Sequence, residues 1–476
     1  MKKFLSWLKN FYSKNKKAVL ISTPIFIVCL VAAIVIFAGR GDGSGPMPDQ
    51  VTITYANWNL GMGHDNALEL RMLQSFMNEN PHIRVDIDTS IISPVLPWMD
   101  GLATAAAQNT LPDVFMIDDL GTIANNGWLM DITGMARYDM DFFDLPRLIQ
   151  EAVLINHAVY ALPFAQDIHG YYVNRDLYRA LGHTPPAFGI SGSDFMTAIR
   201  TATDFSHPSI GVNHTFSFVE WHPGAVNPSF GFLAYNGIYF ALNSPEMAAA
   251  VALAADIYHG GYSFNGITPE AERAYFPVGY DLGAFRYGQM GMFYGGAWLL
   301  DILLNQVDFD WDFIGVPGGR AVSTLDIVGI SAYTSHPEEA YLLARWMGHG
   351  TEGNLRRLQY SREMGIAITT LPVTQNSQVL DVLWEIIPAP GLREVYSALD
   401  RVMIDGLRVL PGYMQARFSA PTGISIPGTN HTNATIEHLL RYGIIGGLDF
   451  PAYSAVAEDV ARQQLAATLD GLRNTR

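Results

Sequence analysis

Apolar and polar positions follow two different periods at the start of the main domain. They alternate in Val51–Tyr55 and in Ile83–Ile87, and this period of two predicts strands. Apolar residues recur every three or four positions from Asn66 to Asn78, which predicts a helix, and a second helix is predicted over Pro97–Gln108. The continuous apolar run Val114–Ile117 predicts a buried strand. Strands and helices that alternate in this way predict a parallel α/β sheet.

The pattern restarts after residue 164. A strand is predicted over Ile168–Val173, and the Ala-rich stretch Pro245–His259 predicts a helix that ends at two glycines. Residues 206–238 are rich in Gly, Pro, His and Phe, and we expect irregular loops that line a site. Further helices are predicted at 175–181, 194–203, 279–287, 337–347, 371–383, 391–405 and 459–472, and further strands at 290–294 and 326–332.

One apolar run, residues 18–38, is long enough to cross a membrane. As a helix its 21 residues span about 31 Å, close to the roughly 30 Å hydrocarbon core. Residues 1–17 carry six lysines and no acids and are expected to stay cytoplasmic, while the glycine-rich residues 39–50 form a flexible tether. The favoured interpretation is an uncleaved single-span anchor in the cell membrane with the main domain extracellular. A cleaved signal, which would make the domain secreted, and a lipoprotein signal at Cys29 are the alternatives.

The charge of the chain restricts its partners. The formal net charge is −16, and the six lysines of residues 1–17 contribute +6, so the remaining residues carry −22. Such an acidic exterior argues against nucleic acid as a partner. The one cysteine lies in the predicted anchor, so the main domain has no disulfide and depends on the burial of its 49% hydrophobic residues.

Several short motifs follow one another in the order of a known family. These motifs are Val51–Trp58, Asn80–Asp86, Gln108–Val114 with its Pro-Asp-Val, Gly127–Thr133, Tyr160–Asp167, Tyr171–Leu177, Ala284–Met292, Gly295–Trp298 and His336–Ala340. With them the chain resembles, over about residues 51–473, the family 1 extracellular solute-binding proteins, which bind carbohydrates for ATP-binding-cassette (ABC) importers and are related to maltose-binding protein.

The resemblance implies an α/β fold of two lobes that close on a ligand like a clamp, with crossover segments as hinges. We place the crossovers near residues 164–170, 325–329 and 365–372. Lobe one then comprises residues 51–164 and 329–368, and lobe two comprises residues 170–325 and 372–476. The sequence departs from the family in two ways. It lacks a lipobox, and its segments 206–238 and 406–432 are divergent. Because of these divergent segments, the identity of the sugar cannot be inferred from any relative.

Ten residues are candidate ligand contacts. Indole rings stack well on the apolar faces of sugars, and carboxylate or amide oxygens accept hydrogen bonds from hydroxyl groups. In parallel sheets ligands bind beyond the carboxyl ends of the strands, which brings residues after two of the predicted strands to one rim. The candidates are Trp58, Asn59, Asp118, Asp119, Gln166, Asp167, Trp221, His222, Trp298 and Asp326.

These candidates have alternative interpretations. Trp58 and Trp298 could pack in the core instead of contacting a ligand, and Trp221 and His222 could have a purely structural role. One of Asp118 and Asp119 is expected to cap the following helix.

The function that these residues favour is non-enzymatic capture of a small carbohydrate and its delivery to a membrane-embedded ABC permease, by a monomer. No cofactor, metal or catalytic residue is expected, because none of the common catalytic motifs is present. One alternative is the same clamp with a cationic ligand such as a polyamine. Another is a glycan-processing enzyme in which Asp118 or Asp119 pairs with Asp167. A metal site built from His214, Glu220 and His222 is a weaker alternative.

Overall fold

A computed structural model describes residues 50–61, 63–91, 97–276 and 279–474. The predicted cytoplasmic segment, the predicted anchor at 18–38 and most of the predicted tether lie outside these residues. Within the described ranges, no helix is both long enough and apolar enough to cross a bilayer. Thr52 onward forms one compact unit.

Within the part of the chain that the structure describes, nine strands form one mixed sheet, and two short strands form a second one. The order in the large sheet is β2-β1-β3-β10-β6-β8-β7, with β11 paired to β10 and β9 paired to β6. The strands are β1 (Val51–Ala56), β2 (Ile83–Ile87), β3 (Val114–Ile117), β4 (Leu154–Ile155), β5 (Ala158–Val159), β6 (Leu162–Asn174), β7 (Ile210–Val212), β8 (Met290–Gly295), β9 (Trp311–Phe313), β10 (Val322–Ile330) and β11 (Met403–Ile404).

The long strands β6 and β10 run antiparallel through the middle of the sheet, with a register that extends from Val322 opposite His169 to Val328 opposite Leu162. The C-terminal end of β10 pairs with β3. The C-terminal end of β6, at the opposite side of the sheet, pairs with β8 and β9. A third segment joins them, because Gln166 forms a bridge with Leu371. The three segments that the sequence assigns to crossovers therefore lie side by side.

Helices cover both halves of the sheet. The α-helices are Gly63–Glu79, Trp98–Ala107, Leu120–Asn125, Thr133–Ala136, Met140–Phe143, Arg147–Ala152, Arg175–Ala180, Gly192–Thr201, Phe218–Val226, Pro245–His259, Pro269–Tyr275, Asp281–Arg286, Leu300–Asn305, Pro337–Met347, Thr351–Met364, Ser377–Ile386, Pro390–Ser397, Gly406–Val409, Ile436–Ile445 and Pro451–Asn474. Short 3-10 turns occupy Trp58–Gly61, Phe232–Ala234, Phe264–Gly266, Ala297–Leu299 and Leu399–Arg401, and a π-helical turn occupies Gln415–Ser419.

The expectation of irregular loops throughout residues 206–238 is wrong. This stretch contains β7 and the helix Phe218–Val226, which continues through Pro223. Phe218 and Trp221 on this helix are buried against Tyr171 and Phe195. Burial of this aromatic cluster outweighs the local preference of proline for a helix end.

Three predicted helices in the last third of the chain have wrong bounds. The helix expected at 459–472 begins earlier, at Pro451. The helix expected at 371–383 begins at Ser377, because the preceding residues bridge to the crossover strand β6. The helix expected at 391–405 ends at Ser397, and the chain then enters β11. The helices Thr351–Met364 and Ile436–Ile445 were not predicted.

Candidate functional site

Trp58 and Asp118 follow two neighbouring parallel strands. β1 and β3 pair in parallel, with Tyr55 opposite Val114, so their carboxyl ends share one rim of the sheet. Trp98 joins the two ends, because its indole N–H donates to the carbonyl of Met116 at 2.9 Å and its ring meets that of Trp58 edge-on at 5.3 Å. Trp58 is half-buried in the turn that follows β1.

Arg408 lies over the ring of Trp58. Its guanidinium carbon is 5.1 Å from the centroid of the indole, and its Nη1 is 3.1 Å from Oδ1 of Asp326. Its charge also acts on Asp118. The Gly406–Val409 helix that carries Arg408 follows Asp405, whose backbone N–H donates to the carbonyl of Ser323 on β10 at 2.8 Å. The sequence gives no local signal for this arginine, which lies in a segment assigned to a divergent loop.

Asp326 forms an ion pair with this arginine, and the charge of the arginine also acts on Asp118. Burial raises the pKa of Asp118, the charge of Asp119 adds to this effect, and Arg408 opposes it. Burial also raises the pKa of Asp326, against the effect of Arg408. Within the described parts of the chain, no donor reaches Oδ1 of Asp118, and this oxygen is buried. Asp118 therefore has an acceptor without a protein donor, on the same rim of the sheet as Trp58.

Asp119 has its oxygens engaged by the protein. It caps the helix Leu120–Asn125 and accepts from the backbone N–H of Thr122 at 3.0 Å and from its hydroxyl at 2.7 Å. The side-chain amide of Gln415 also donates to it, at 3.2 Å. Of the two adjacent aspartates, Asp118 is therefore the one that has an acceptor oxygen without a protein donor.

Asn59, another of the ten candidates, donates its backbone N–H to Oδ1 of Asn57 at 2.8 Å.

Asp167 connects the crossover strand β6 to the loop that carries Trp298. It accepts the backbone N–H of Ala297 and lies 3.0 Å from Nε2 of His169. A side chain on Gly296 would meet the carboxylate of Asp167, so glycine allows this close approach and a larger residue would displace the carboxylate. Trp298 itself is 43% exposed and touches Phe293 edge-on.

His169 gains a proton more readily than an ordinary histidine. Burial lowers the pKa of His169, but the hydrogen bond and charge of Asp167, with Asp405 and Glu220 further away, outweigh burial and raise it. An imidazolium–carboxylate pair is thus favoured at this junction of the sheet. Neither His169 nor Asp405 is among the residues that the sequence singled out.

Gln166 and Trp221 are occupied by the protein core. The amide of Gln166 donates to the carbonyl of Pro372 at 2.9 Å and accepts from the hydroxyl of Ser323 at 3.0 Å. Trp221 is 1% exposed, and its indole N–H donates to the hydroxyl of Tyr171 at 3.2 Å. Both side chains hold the fold in this conformation, and their contact with a ligand stays a prediction.

The metal interpretation of His214, Glu220 and His222 has no geometry to support it. Glu220 forms an ion pair with Arg417 at 2.9 Å instead. Burial lowers the pKa of both His214 and His222, which favours neutral rings. No cluster of three or more His, Cys, Asp or Glu side chains suited to a metal ion occurs among the residues that the structure covers.

No protein-family model matches the chain, and no curated protein matches its sequence. Solved structures do match in fold. The sugar-binding protein MalE of Xanthomonas citri superposes with a TM-score of 0.66 at 15% identity, over 88% of this chain and 98% of that one. A cyclic α-maltosyl-1,6-maltose binding protein of Arthrobacter globiformis gives a TM-score of 0.63 at 18% identity, over 88% and 100%. An ABC substrate-binding protein of Listeria monocytogenes in complex with cycloalternan gives 0.59 at 19% identity, over 90% and 99%.

These likenesses establish the class of fold. The chain has the mixed α/β, two-lobed fold of ABC-transporter substrate-binding proteins. This confirms the resemblance inferred from the order of the motifs, at the level of fold. The bounds of the two lobes and the ten ligand contacts stay predictions.

Proposed function

We propose that this protein is an extracytoplasmic solute-binding protein that captures a carbohydrate between its two lobes and delivers it to an ABC permease. The observation that carries the proposal is the cluster of Trp58, Asp118, Asp326 and Arg408 beyond the carboxyl ends of β1 and β3. Ligands of α/β sheets bind at such ends. Several structures of the same fold are described as sugar-binding, which supports a carbohydrate as the ligand here.

The cluster offers the two kinds of contact that a sugar needs. Arg408 covers one face of the half-buried indole of Trp58, and the rest of the ring provides an apolar surface for the C–H groups of a pyranose. Oδ1 of Asp118 accepts a hydrogen bond from a hydroxyl group, and the guanidinium of Arg408 donates to a hydroxyl oxygen. Trp298, which is 43% exposed in the turn after β8, offers a second indole next to Asp167 in the middle of β6.

Capture without catalysis fits these carboxylates better than glycan hydrolysis. A hydrolase needs two carboxyl groups free to act as acid and as base or nucleophile. Asp119 is engaged by Thr122 and Gln415, and Asp167 is engaged by His169 and Ala297.

Capture by a clamp also requires closure of the lobes. Contacts that form only when both lobes touch the ligand favour the closed conformation.

The proposal includes an anchor, argued from the sequence. Residues 18–38 are apolar over a length that matches a bilayer, and a binding protein held at the membrane stays near its permease. The tether of about 12 residues reaches about 20 Å as a random coil. Intact-mass measurement of membrane-extracted protein tests this point. A mature N-terminus at Gly39, or a diacylated Cys29, would replace the anchor and leave the binding function untouched.

A thermal-shift screen tests the binding function. Purified protein is heated with mono- and oligosaccharides, polyamines and peptides, and a ligand at about 100 times its Kd adds about 2.7 kcal/mol to the free energy of unfolding. We expect a carbohydrate to raise the Tm. A shift with a polyamine and with no sugar would make the carbohydrate assignment wrong.

A tryptophan variant tests the location of the site. Trp58→Ala is expected to weaken carbohydrate binding about tenfold or more, because it removes the stacking face. Trp384→Ala is the matched control, since Trp384 is also half-buried and instead packs edge-on against Tyr396. Full affinity in Trp58→Ala, or an equal loss in both variants, would place the ligand elsewhere.

A further inference from the structure

Arg408 fills the place over Trp58 that an organic cation would take. A positive charge about 5 Å above an indole face is the usual geometry of a cation–π contact, and the guanidinium carbon lies 5.1 Å from the ring centroid. The side chain is 22% exposed and is also held by Asp326 at 3.1 Å. The protein therefore supplies its own cation to this ring.

The charges around the ring explain why this matters. Asp118 and Asp326 both lie within the influence of Arg408, and Oδ1 of Asp118 is buried without a donor in the described part of the protein. An indole beside two carboxylates is a receptor for an organic cation. With the guanidinium in place, an incoming cation meets a like charge and must also displace it. A neutral hydroxyl group meets no such repulsion.

We propose that Arg408 determines the charge class of the ligand: its guanidinium occupies the cation position over Trp58, so the site accepts neutral carbohydrate and rejects organic cations such as polyamines. The acceptance of carbohydrate rests on the proposed function, whereas the rejection of cations rests on Arg408 and its neighbours. Specificity of this kind comes from a repulsive element built into the site. Without the guanidinium, Asp118, Asp326 and Trp58 would be available to bind a cation.

Spermidine binding to full-length protein tests the proposal. Wild type and Arg408→Met are titrated with spermidine at low salt and at pH 8, which favours the ionised form of both aspartates, with tryptophan fluorescence and calorimetry as readouts. We expect Arg408→Met to bind spermidine at least about tenfold more tightly than wild type, because one like charge has been removed. Arg408→Lys keeps a positive charge and is expected to show no such gain.

An arginine outside the site provides the matched control. Arg393 lies 5.5 Å from the ring of Trp384, so Arg393→Met removes a comparable contact and is expected to bind spermidine as weakly as wild type. Thermal unfolding monitors each variant, and Arg408→Gln, which retains an N–H donor toward Asp326, replaces Arg408→Met if that variant does not fold.

The outcomes separate this inference from the proposed function. Spermidine affinity that is unchanged in the folded Arg408 variants overturns the role of Arg408, and so does an equal gain in Arg393→Met. If no sugar binds wild type while Arg408→Met gains spermidine binding, the carbohydrate function fails and the role of Arg408 stands. If a sugar binds wild type and the variants gain nothing, the role of Arg408 alone fails.

Discussion

The buried carboxylate of Asp139 shows how single residues set the acid stability of this fold. It accepts from Nε2 of His349 at 2.8 Å, from the hydroxyl of Tyr341 at 2.9 Å and from Nε of Arg345 at 3.1 Å. Burial disfavours its ionised form, but these partners outweigh burial and lower the pKa of Asp139 to about 2. An Asp in an unfolded chain has a pKa of about 3.9. The stabilisation is therefore complete above the unfolded pKa and is lost as the pH falls through about 2.

Asp139→Asn is expected to lower the free energy of unfolding at pH 7 by about 2 kcal/mol or more, since it removes the charge that His349 and Arg345 surround. The variant is also expected to lose less stability than wild type between pH 4 and pH 2. Urea unfolding at a series of pH values measures both effects. Asp400→Asn, at an exposed aspartate, is the control, and an equal loss there would contradict a special role for Asp139.

The raised pKa of Asp118 predicts a pH dependence of ligand binding. The ionised carboxylate accepts hydroxyl hydrogen bonds, so affinity is expected to fall as the pH decreases toward this raised pKa. Asp118→Asn is expected to bind about tenfold more weakly and with less dependence on pH. Calorimetry at several pH values measures this. Asp119→Asn is the comparison, because Asn also caps a helix, and equal effects in both variants would remove the distinction between the two residues.

At the scale of elements, local patterns predicted about half of the helices and strands in the described residues. The helix Pro245–His259 and the strand Val114–Ile117 have the bounds expected from capping and from apolar runs. The helix Phe218–Val226 was missed because Pro223 signals a break, and burial of Trp221 outweighs that signal. A single sequence shows propensity but does not show which faces are later buried.

Some residues of the candidate site could be predicted from the sequence, and others could not. Trp58 and Asp118 could be placed on one rim because parallel strands end at the same edge of a sheet. Arg408 could not, because its position depends on a segment far along the chain that attaches to β10. His169 sits in β6, where strand periodicity alone does not mark a charged pair.

The close approach of Gly296, in the loop after β8, to the carboxylate of Asp167 leads to a testable prediction. A Cβ on Gly296 would clash with the carboxylate of Asp167, so Gly296→Ala is expected to displace Asp167 from the N–H of Ala297 and to weaken ligand binding about tenfold. Calorimetry with the carbohydrate found in the screen measures the loss. Gly134→Ala is the matched control, because a Cβ there meets open space. Unchanged binding in Gly296→Ala would contradict a role for this contact.

At the scale of the whole molecule, the order of the motifs predicted the fold better than any element did. Each motif is weak, but together they span about residues 51–473, and solved structures of below 20% identity share the fold over most of the chain. The fold is thus shared although most side chains differ. In our proposal ligand specificity depends on a few side chains such as Arg408, and for this reason it does not follow from the fold.

The two central strands predict how the whole molecule responds to a ligand. β6 and β10 extend into both halves of the sheet, and their pairing is irregular between Asp326 and Ile327, close to the proposed site. A ligand that touches both lobes favours the closed form by the free energy of the contacts formed only there. Small-angle X-ray scattering at saturating carbohydrate is therefore expected to show a smaller radius of gyration than in its absence. Trp58→Ala at the same sugar concentration is expected to retain the larger radius. A full rise in Tm with an unchanged radius would mean that the ligand binds without closing the lobes.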